Sequence, residues 1–421
     1  MAYLGPSPAR TPVTSDQITD ASVTAAKLAD DAVTTDKVAA LTTLATNTIA
    51  ETTAASGVTI DGLLIKDGAI PSIIVPGKNL LQNGEVSVDQ RAGDTRTGLG
   101  ATSQYLTDRW SYERSGTATA RFTFSKGTGI TGARGSLRFE VTTADVALAA
   151  DVIYQFTQKI EAQNLRHLLY GTASAKSVTY QAKIKSNWAG TMTLYIIAPD
   201  GSRSYSTPLV VAGDESQETF TFTLPGDASG AINNDTGVGF DWMVTMAAGT
   251  DFTGGAAGAW AASNNNLVGA SNSGNFFDTI SNYFEISLMQ LEVGSVATDF
   301  EHEDIGTMLA KCKRYYEQMD FDSSSAELVA LCNIWDATAG AGLIEYQVEK
   351  RALPTVTITA VGTFNVVEGD GTTQAPGSIT GIRMGTRSTS ISVGLTAAAL
   401  GGGELRRDAT DVCNIKISAE L

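Results

Sequence analysis

Eight stretches between residues 117 and 291 alternate apolar and polar side chains with a period of two, and no helical spacing interrupts them. They run over 117–124, 136–141, 152–160, 177–185, 191–198, 218–224, 239–246 and 282–291. Successive side chains of a strand point to opposite faces, so this rhythm reads as half-buried strands. Pro199-Asp200-Gly201 and Pro225-Gly226-Asp227 supply the turns between them. Many strands without crossover helices predict an antiparallel β-sandwich of jelly-roll type over residues 78–303. The segment 247–281, rich in Gly, Ala and Asn, breaks the rhythm and reads as an unusually long loop.

The last of these strands leads into a different kind of sequence. In 282–291, strict alternation sets Tyr283, Glu285, Ser287 and Met289 on one face and Phe284, Ile286, Leu288 and Gln290 on the other. A polar connector follows over 295–303. Ile305, Met308, Leu309 and Cys312 then recur at helical spacing, which predicts one short amphipathic helix. Beyond it, alternation resumes over 327–335, 342–349, 355–361, 364–368, 388–395 and 412–419. Residues 304–421 therefore read as a second antiparallel β-sandwich.

The front of the chain is organised otherwise. Residues 1–16 hold three prolines and little apolar content, the signature of an arm without a core. Residues 17–77 contain a ten-residue repeat in which Val23 matches Val33, Lys27 matches Lys37 and Leu28 matches Val38. A continuous helix turns about 100° per residue, so a ten-residue apolar period would spiral around it. Each unit carries two apolar side chains, too few for a core. Copies of the chain around one axis could pool Val23, Leu28, Val33 and Val38, which argues for a symmetric homo-oligomer. Residues 38–55 follow a helical apolar spacing, and 57–76 read as short strands with Asp61-Gly62 and Asp67-Gly68 turns.

Net charge of −16 makes contact with nucleic acid or anionic membranes unfavourable. No apolar run approaches the roughly 18 residues of a membrane span, and the first residues lack the basic and apolar regions of a secretion signal. Neither nucleic acid nor a membrane is expected as a partner. Cys312, Cys332 and Cys413 have no metal-like spacing and read as reduced core thiols.

Catalytic chemistry finds no constellation. His167 and His302 are far apart and in no metal motif. The Gly127–Gly132 match to G-x-G-x-x-G joins two strands, so it reads as a hairpin loop. No cofactor or metal is expected. Asp108, Glu285 and Glu292 read as structural groups, and Trp110 and Trp242 as core. Sugar binding suits the composition better, because aromatic faces stack on pyranose C–H groups while amides meet hydroxyls. Trp188 and Tyr205 lie beside turns, and Trp260 lies near the run Asn264, Asn265, Asn266. These six are the candidate glycan contacts.

Several phrases carry a resemblance. Residues 290–301 followed by Cys312-Lys313-Arg314-Tyr315-Tyr316 resemble the end of a jelly-roll module and its exit helix in bacteriophage tail fibres and related virion receptor-binding proteins. Asn79-Leu80-Leu81-Gln82-Asn83-Gly84, Asp89-Gln90-Arg91 and the 105–110 segment resemble the module's opening. Arg351-Ala352-Leu353-Pro354-Thr355-Val356-Thr357 and the final Ala419-Glu420-Leu421 resemble the C-terminal domain. The resemblance implies a homotrimer in the virion tail, assembled in the host cytoplasm. Its N-terminal arm, with Tyr3 and Leu4 as anchors, would dock on a tail adaptor or nozzle protein. The expected act is non-enzymatic adsorption to a host surface polysaccharide or lipopolysaccharide. The alternatives are a fibre-borne glycan depolymerase and a structural tail or collar connector.

Overall fold

The computed structural model describes residues 58–60, 63–65, 77–91, 93, 95–321, 327–359, 361–407 and 413–421. The expected arm and stalk residues Tyr3, Leu4, Val23, Leu28, Val33 and Val38 lie outside the described residues.

Two short strands, β1 (Val58–Ile60) and β2 (Leu63–Ile65), precede the first sandwich. The sandwich then begins with β3 (Thr95–Leu99), β4 (Gln104–Thr107), β5 (Trp110–Ser115), β6 (Arg121–Gly127), β7 (Ser136–Thr143) and β8 (Ile153–Glu161). It continues with β9 (Val178–Ser186), β10 (Gly190–Ala198), β11 (Arg203–Val211) and β12 (Glu218–Leu224). The last are β13 (Val238–Ala248), β14 (Ala261–Ala262) and β15 (Tyr283–Val293). A seven-stranded antiparallel sheet has the order β14-β11-β10-β13-β8-β5-β4, and a six-stranded sheet the order β12-β9-β15-β7-β6-β3.

Between the sheets lies one aromatic-rich core. Phe139 stacks on Phe156 at 5.3 Å and leans on Phe122 at 5.6 Å, while Trp110 and Trp242 are buried as expected. Phe276 and Phe277, from the irregular segment after β14, are wholly buried. Phe277 meets Tyr154 at 4.4 Å. The long loop therefore closes one end of the core instead of standing free. Each buried ring contributes about 1.5–3 kcal/mol by leaving water.

The alternation expected for the last strand fails halfway along. Phe284 and Ile286 face the core, but so do Met289 and Leu291. A register shift between Ser287 and Gln290 marks a β-bulge, with Leu288 at φ +51° in the left-handed region. One extra residue inverts the parity of everything after it. Leu288, Gln290 and Glu292 thus face outward and Met289 inward, the reverse of the strict-alternation reading beyond Ser287. The bulge is held by the Asn79–Gly84 segment. The Asn79 Nδ2 donates to Met289 O at 3.0 Å, and Met289 N donates to Gly84 O at 3.0 Å. A Cβ at Gly84 would lie 2.1 Å from Met289 O, so only glycine admits this approach.

After β15 comes helix α1 (Ile305–Lys313), capped by Asp304, whose carboxylate accepts from Gly306 N and Thr307 N. Met308 and Cys312 on its inner side pack with Val88. The second sandwich has β16 (Tyr316–Phe321), β17 (Leu328–Asp336), β18 (Ala339–Glu345), β19 (Thr355–Ile358) and β20 (Phe364–Glu368). It ends with β21 (Thr373–Gln374), β22 (Ser378–Met384), β23 (Ser388–Gly394), β24 (Gly401–Arg407) and β25 (Cys413–Ser418). A three-stranded sheet, β16-β25-β19, faces a seven-stranded one, β21-β20-β24-β17-β18-β23-β22, around a smaller aliphatic core.

Candidate functional site

The phrases that carry the fibre resemblance converge at one place, the joint between the two sandwiches. Arg109 is fully buried, holds Glu420 at 2.6 Å and lies 3.4 Å over the Tyr315 ring. Arg91 pairs with the same Glu420 and lies between the rings of Tyr105 and Tyr316, at 4.2 and 3.7 Å. Arg314 grips Glu161 through two bonds of 2.8 and 2.9 Å. Arg351 donates to the carbonyls of Ala419 and Glu420 at 2.6 Å and to Thr236 O at 2.9 Å. Asp108 accepts from Gln90 N and Nε2, and burial pushes its carboxyl up to about 6. These residues build a clasp whose charged groups are paired with other parts of the chain.

The six glycan candidates are distributed differently. Trp188 is buried and meets Phe276 edge-on at 5.9 Å. Tyr205 is also buried, against Phe222 and Trp260. Neither is an exposed platform: an aromatic beside a turn was free to fold into the end of the sandwich, and both did. Trp260 is half-buried, with its ring on Tyr205 at 5.6 Å and Tyr170 at 5.8 Å. Its N–H donates to Pro225 O at 2.7 Å, so the indole seals the core's edge. Asn264, Asn265 and Asn266 are exposed. Asn264 O accepts from the Tyr195 hydroxyl at 3.4 Å, which places the run over the outward face of the seven-stranded sheet.

That face was not nominated from sequence. Its registers set Glu113, Gln155, Thr245 and Thr193 in one row across β5, β8, β13 and β10. The next row is Ser111, Thr157, Met243 and Tyr195, and a third places Lys159 beside Asp241 and Ile197. The segment after β13 covers the β10 side, where Leu267 packs on Tyr195 and Met243, and Thr193 Oγ1 donates to Asn272 Oδ1 at 2.7 Å. The β5–β8–β13 half carries polar groups in mutual contact. Lys159 Nζ reaches Glu113 Oε1 at 3.2 Å, Gln155 Nε2 donates to Glu113 Oε2 at 3.3 Å, and the Thr157 hydroxyl donates to Asp241. Burial pushes the Asp241 carboxyl up to about 6, helped by the negative charge of Glu113 and opposed by Thr157 and Lys159. Gln155 is 8% exposed, and its carbonyl oxygen has no hydrogen-bond partner. That oxygen is closed off by its neighbours, so the groups this face offers to solvent are the Glu113 carboxylate and the Lys159 ammonium. Polar residues at every second place of β8 were visible in sequence. Which strands would set Glu113 and Asp241 beside them was not.

The pairing of hydroxyl, amide, carboxylate and ammonium groups on one half-buried face suits a ligand rich in hydroxyls. Among the described residues no group of His, Cys, Asp and Glu could hold a metal ion, and no helix is long and apolar enough to cross a membrane. Cys312 and Cys332 are buried thiols, with burial raising both.

No protein-family model matches the sequence, and no curated protein is significantly similar to it. Among solved structures, the chain is similar to an arabinose-bound α-L-arabinofuranosidase (11% identity, 56% of this chain and 30% of that one, TM-score 0.29). It is similar to the enzymatically active domain of tailspike protein 4 of bacteriophage CBA120 (9% identity, 52% and 22%, TM-score 0.28). A family 11 carbohydrate-binding module from Clostridium thermocellum in complex with a β-1,3-1,4-mixed-linked tetrasaccharide also matches (13% identity, 49% and 99%, TM-score 0.23). The chain thus spans less than a third of the arabinofuranosidase and of the tailspike domain. Likenesses this distant place the chain in no family.

Proposed function

We propose that the chain is a bacteriophage tail-fibre protein whose first sandwich, of jelly-roll type, binds a host surface glycan through the outward face of its seven-stranded sheet. One observation carries the binding reading: Glu113, Gln155, Thr157, Lys159 and Asp241 form one connected polar cluster on that face. Sugar hydroxyls would meet the Glu113 carboxylate, which Gln155 holds in place, and the Lys159 ammonium along the same rows. The tail-fibre part rests on the sequence phrases and on the incomplete core of the repeat, which calls for a homo-oligomer, in this reading a trimer. The second sandwich is consistent with such an assembly. Leu331 and Trp335 of β17 and Leu343 of β18 are 68%, 50% and 54% exposed, and neighbouring copies would cover them. Docking of the N-terminal arm on a tail protein belongs to the same proposal.

The test is binding of the full chain to a panel of purified bacterial surface polysaccharides. Gln155→Ala and Asp241→Asn should each weaken binding by about tenfold, the worth of one hydrogen bond to a charged or buried partner. Undiminished binding by both variants would remove this face from the account. A depolymerase is the second reading, and Asp241 favours it. Glycoside hydrolysis uses one protonated and one ionised carboxyl, and Asp241 at about 6 shares its face with Glu113. New reducing ends released by the native chain but not by Asp241→Asn would establish it.

A further inference from the structure

We infer that a pocket on the opposite side of the first sandwich is a separate subsite for a single neutral pyranose ring. The pocket, of about 260 Å³, opens on the outward face of the six-stranded sheet. Its floor includes Gln181 and Lys183 of β9 and Leu288 of β15, and its wall is Asp299, Phe300 and His302 of the connector before α1.

The bulge creates the apolar part of the floor. Regular alternation would turn Leu288 inward with Ile286, whereas the bulge and the left-handed Leu288 turn its isobutyl group out of the sheet. A bulky residue at positive φ is strained, and it persists only where its surroundings over-determine it. Here they do. Glu292 accepts from Thr298 N at 2.8 Å and Oγ1 at 2.6 Å, and Gln290 Oε1 accepts from Glu301 N at 2.8 Å. Glu301 in turn accepts from Asn79 N at 2.9 Å. The connector is thus bolted to the sheet by buried side chains on both sides of Phe300. The wall stands preformed.

The chemistry selects the ligand. Leu288 and the Phe300 ring, itself 5.0 Å from His302, give an apolar side for the C–H face of a pyranose. Gln181, Lys183, Asp299 and His302 surround it with donors and acceptors for a rim of hydroxyls. Lys183 balanced by Asp299 disfavours a phosphate or other strong anion, and a lone carboxylate does not hold a divalent cation. The volume is just below the usual range for ligand pockets, about 300–1,000 Å³, which fits one ring rather than a chain. The choice of a sugar rests on the proposed glycan function; the site and its residues are independent of the Gln155 face.

The full chain, labelled at leucine methyl groups, is titrated with methyl hexopyranosides of gluco, galacto and manno configuration. The Leu288 methyl resonances should move with a millimolar Kd, and Asp241→Asn should leave that response unchanged. Phe300→Ala should abolish it. Lys183→Ala with Asp299→Ala, both on solvent-facing side chains, should weaken it tenfold or more while circular dichroism stays native. Leu288 resonances that stay still through all three sugars, or that respond equally in the folded double variant, overturn the subsite. If those resonances stay still while polysaccharide still binds through the Gln155 face, the pocket falls and the glycan reading stands. If a hexoside moves Leu288 but no polysaccharide binds, the sheet face falls and the pocket stands.

Discussion

Glu420, next to the last residue, answers two arginines at once. Arg109 is fully buried and Arg91 has a side chain only 12% exposed, so neither can fall back on water. Removing one partner of a buried ion pair costs about 3–5 kcal/mol, because the remaining charge is stranded. Glu420→Gln should therefore lower the unfolding temperature by roughly 10 °C, at about 2–4 °C per kcal/mol for a domain of this size. Arg387→Ala is the control: its pair with Glu349 is exposed on both sides and should leave the melt unchanged. Asp241 makes a pH prediction. Its carboxyl titrates near 3.8 when unfolded and at about 6 when folded, so between those values the folded chain binds more protons. Stability contributed by the protonated form is full below the lower value and is lost as pH rises through about 6. Thermal melts across that window should fall toward high pH, and Asp241→Asn should flatten the fall and melt above the native chain at pH 8.

Among the elements, those with regular alternation were legible. Ser136–Thr143, Glu218–Leu224 and Phe364–Glu368 fall almost where the period-two pattern puts them, and the helix forms over Ile305–Lys313 as its spacing predicts. Several strands fall outside the alternating stretches, two of the longer ones because composition hid them. Arg203–Val211 contains Pro208, which is tolerated because the two-residue β14 pairs only with Arg203 and Ser204, leaving an open edge at the proline. Gly401–Arg407 begins with three glycines, which carry no pattern. The bulge in β15 was hidden for another reason. Nothing in Ile286–Leu291 marks an extra residue; its cause is the Asn79–Gly84 segment, some two hundred places earlier in the chain. The polar face of the seven-stranded sheet was half legible, as alternate positions of one strand without their neighbours. At this scale, Asp304→Ala removes the cap of α1 and should cost about 1 kcal/mol. Hydrogen exchange should then quicken at Gly306, Thr307 and the first turn, while amides of β15 keep their protection. Equal loosening of both would mean that the helix and the strand open as one unit.

For the whole molecule, single-site affinity and copy number are the two quantities that matter. One face of hydroxyl-binding groups without an exposed aromatic platform should bind weakly. Several copies on one axis convert weak sites into avidity, with gains on the order of 10² or more. Sedimentation of the full chain should give three times the 44.0 kDa chain mass. Leu28→Asp with Val38→Asp should shift it toward the monomer if the repeat supplies the shared core, and Leu331→Asp should shift it if the β17–β18 face contributes. The most direct measurement is equilibrium binding of the intact protein to a panel of bacterial surface polysaccharides, native chain beside Gln155→Ala and Asp241→Asn. The account predicts saturable binding to a subset of them that both substitutions weaken by about tenfold. Absence of binding across the panel, or equal binding by native chain and variants, would contradict it.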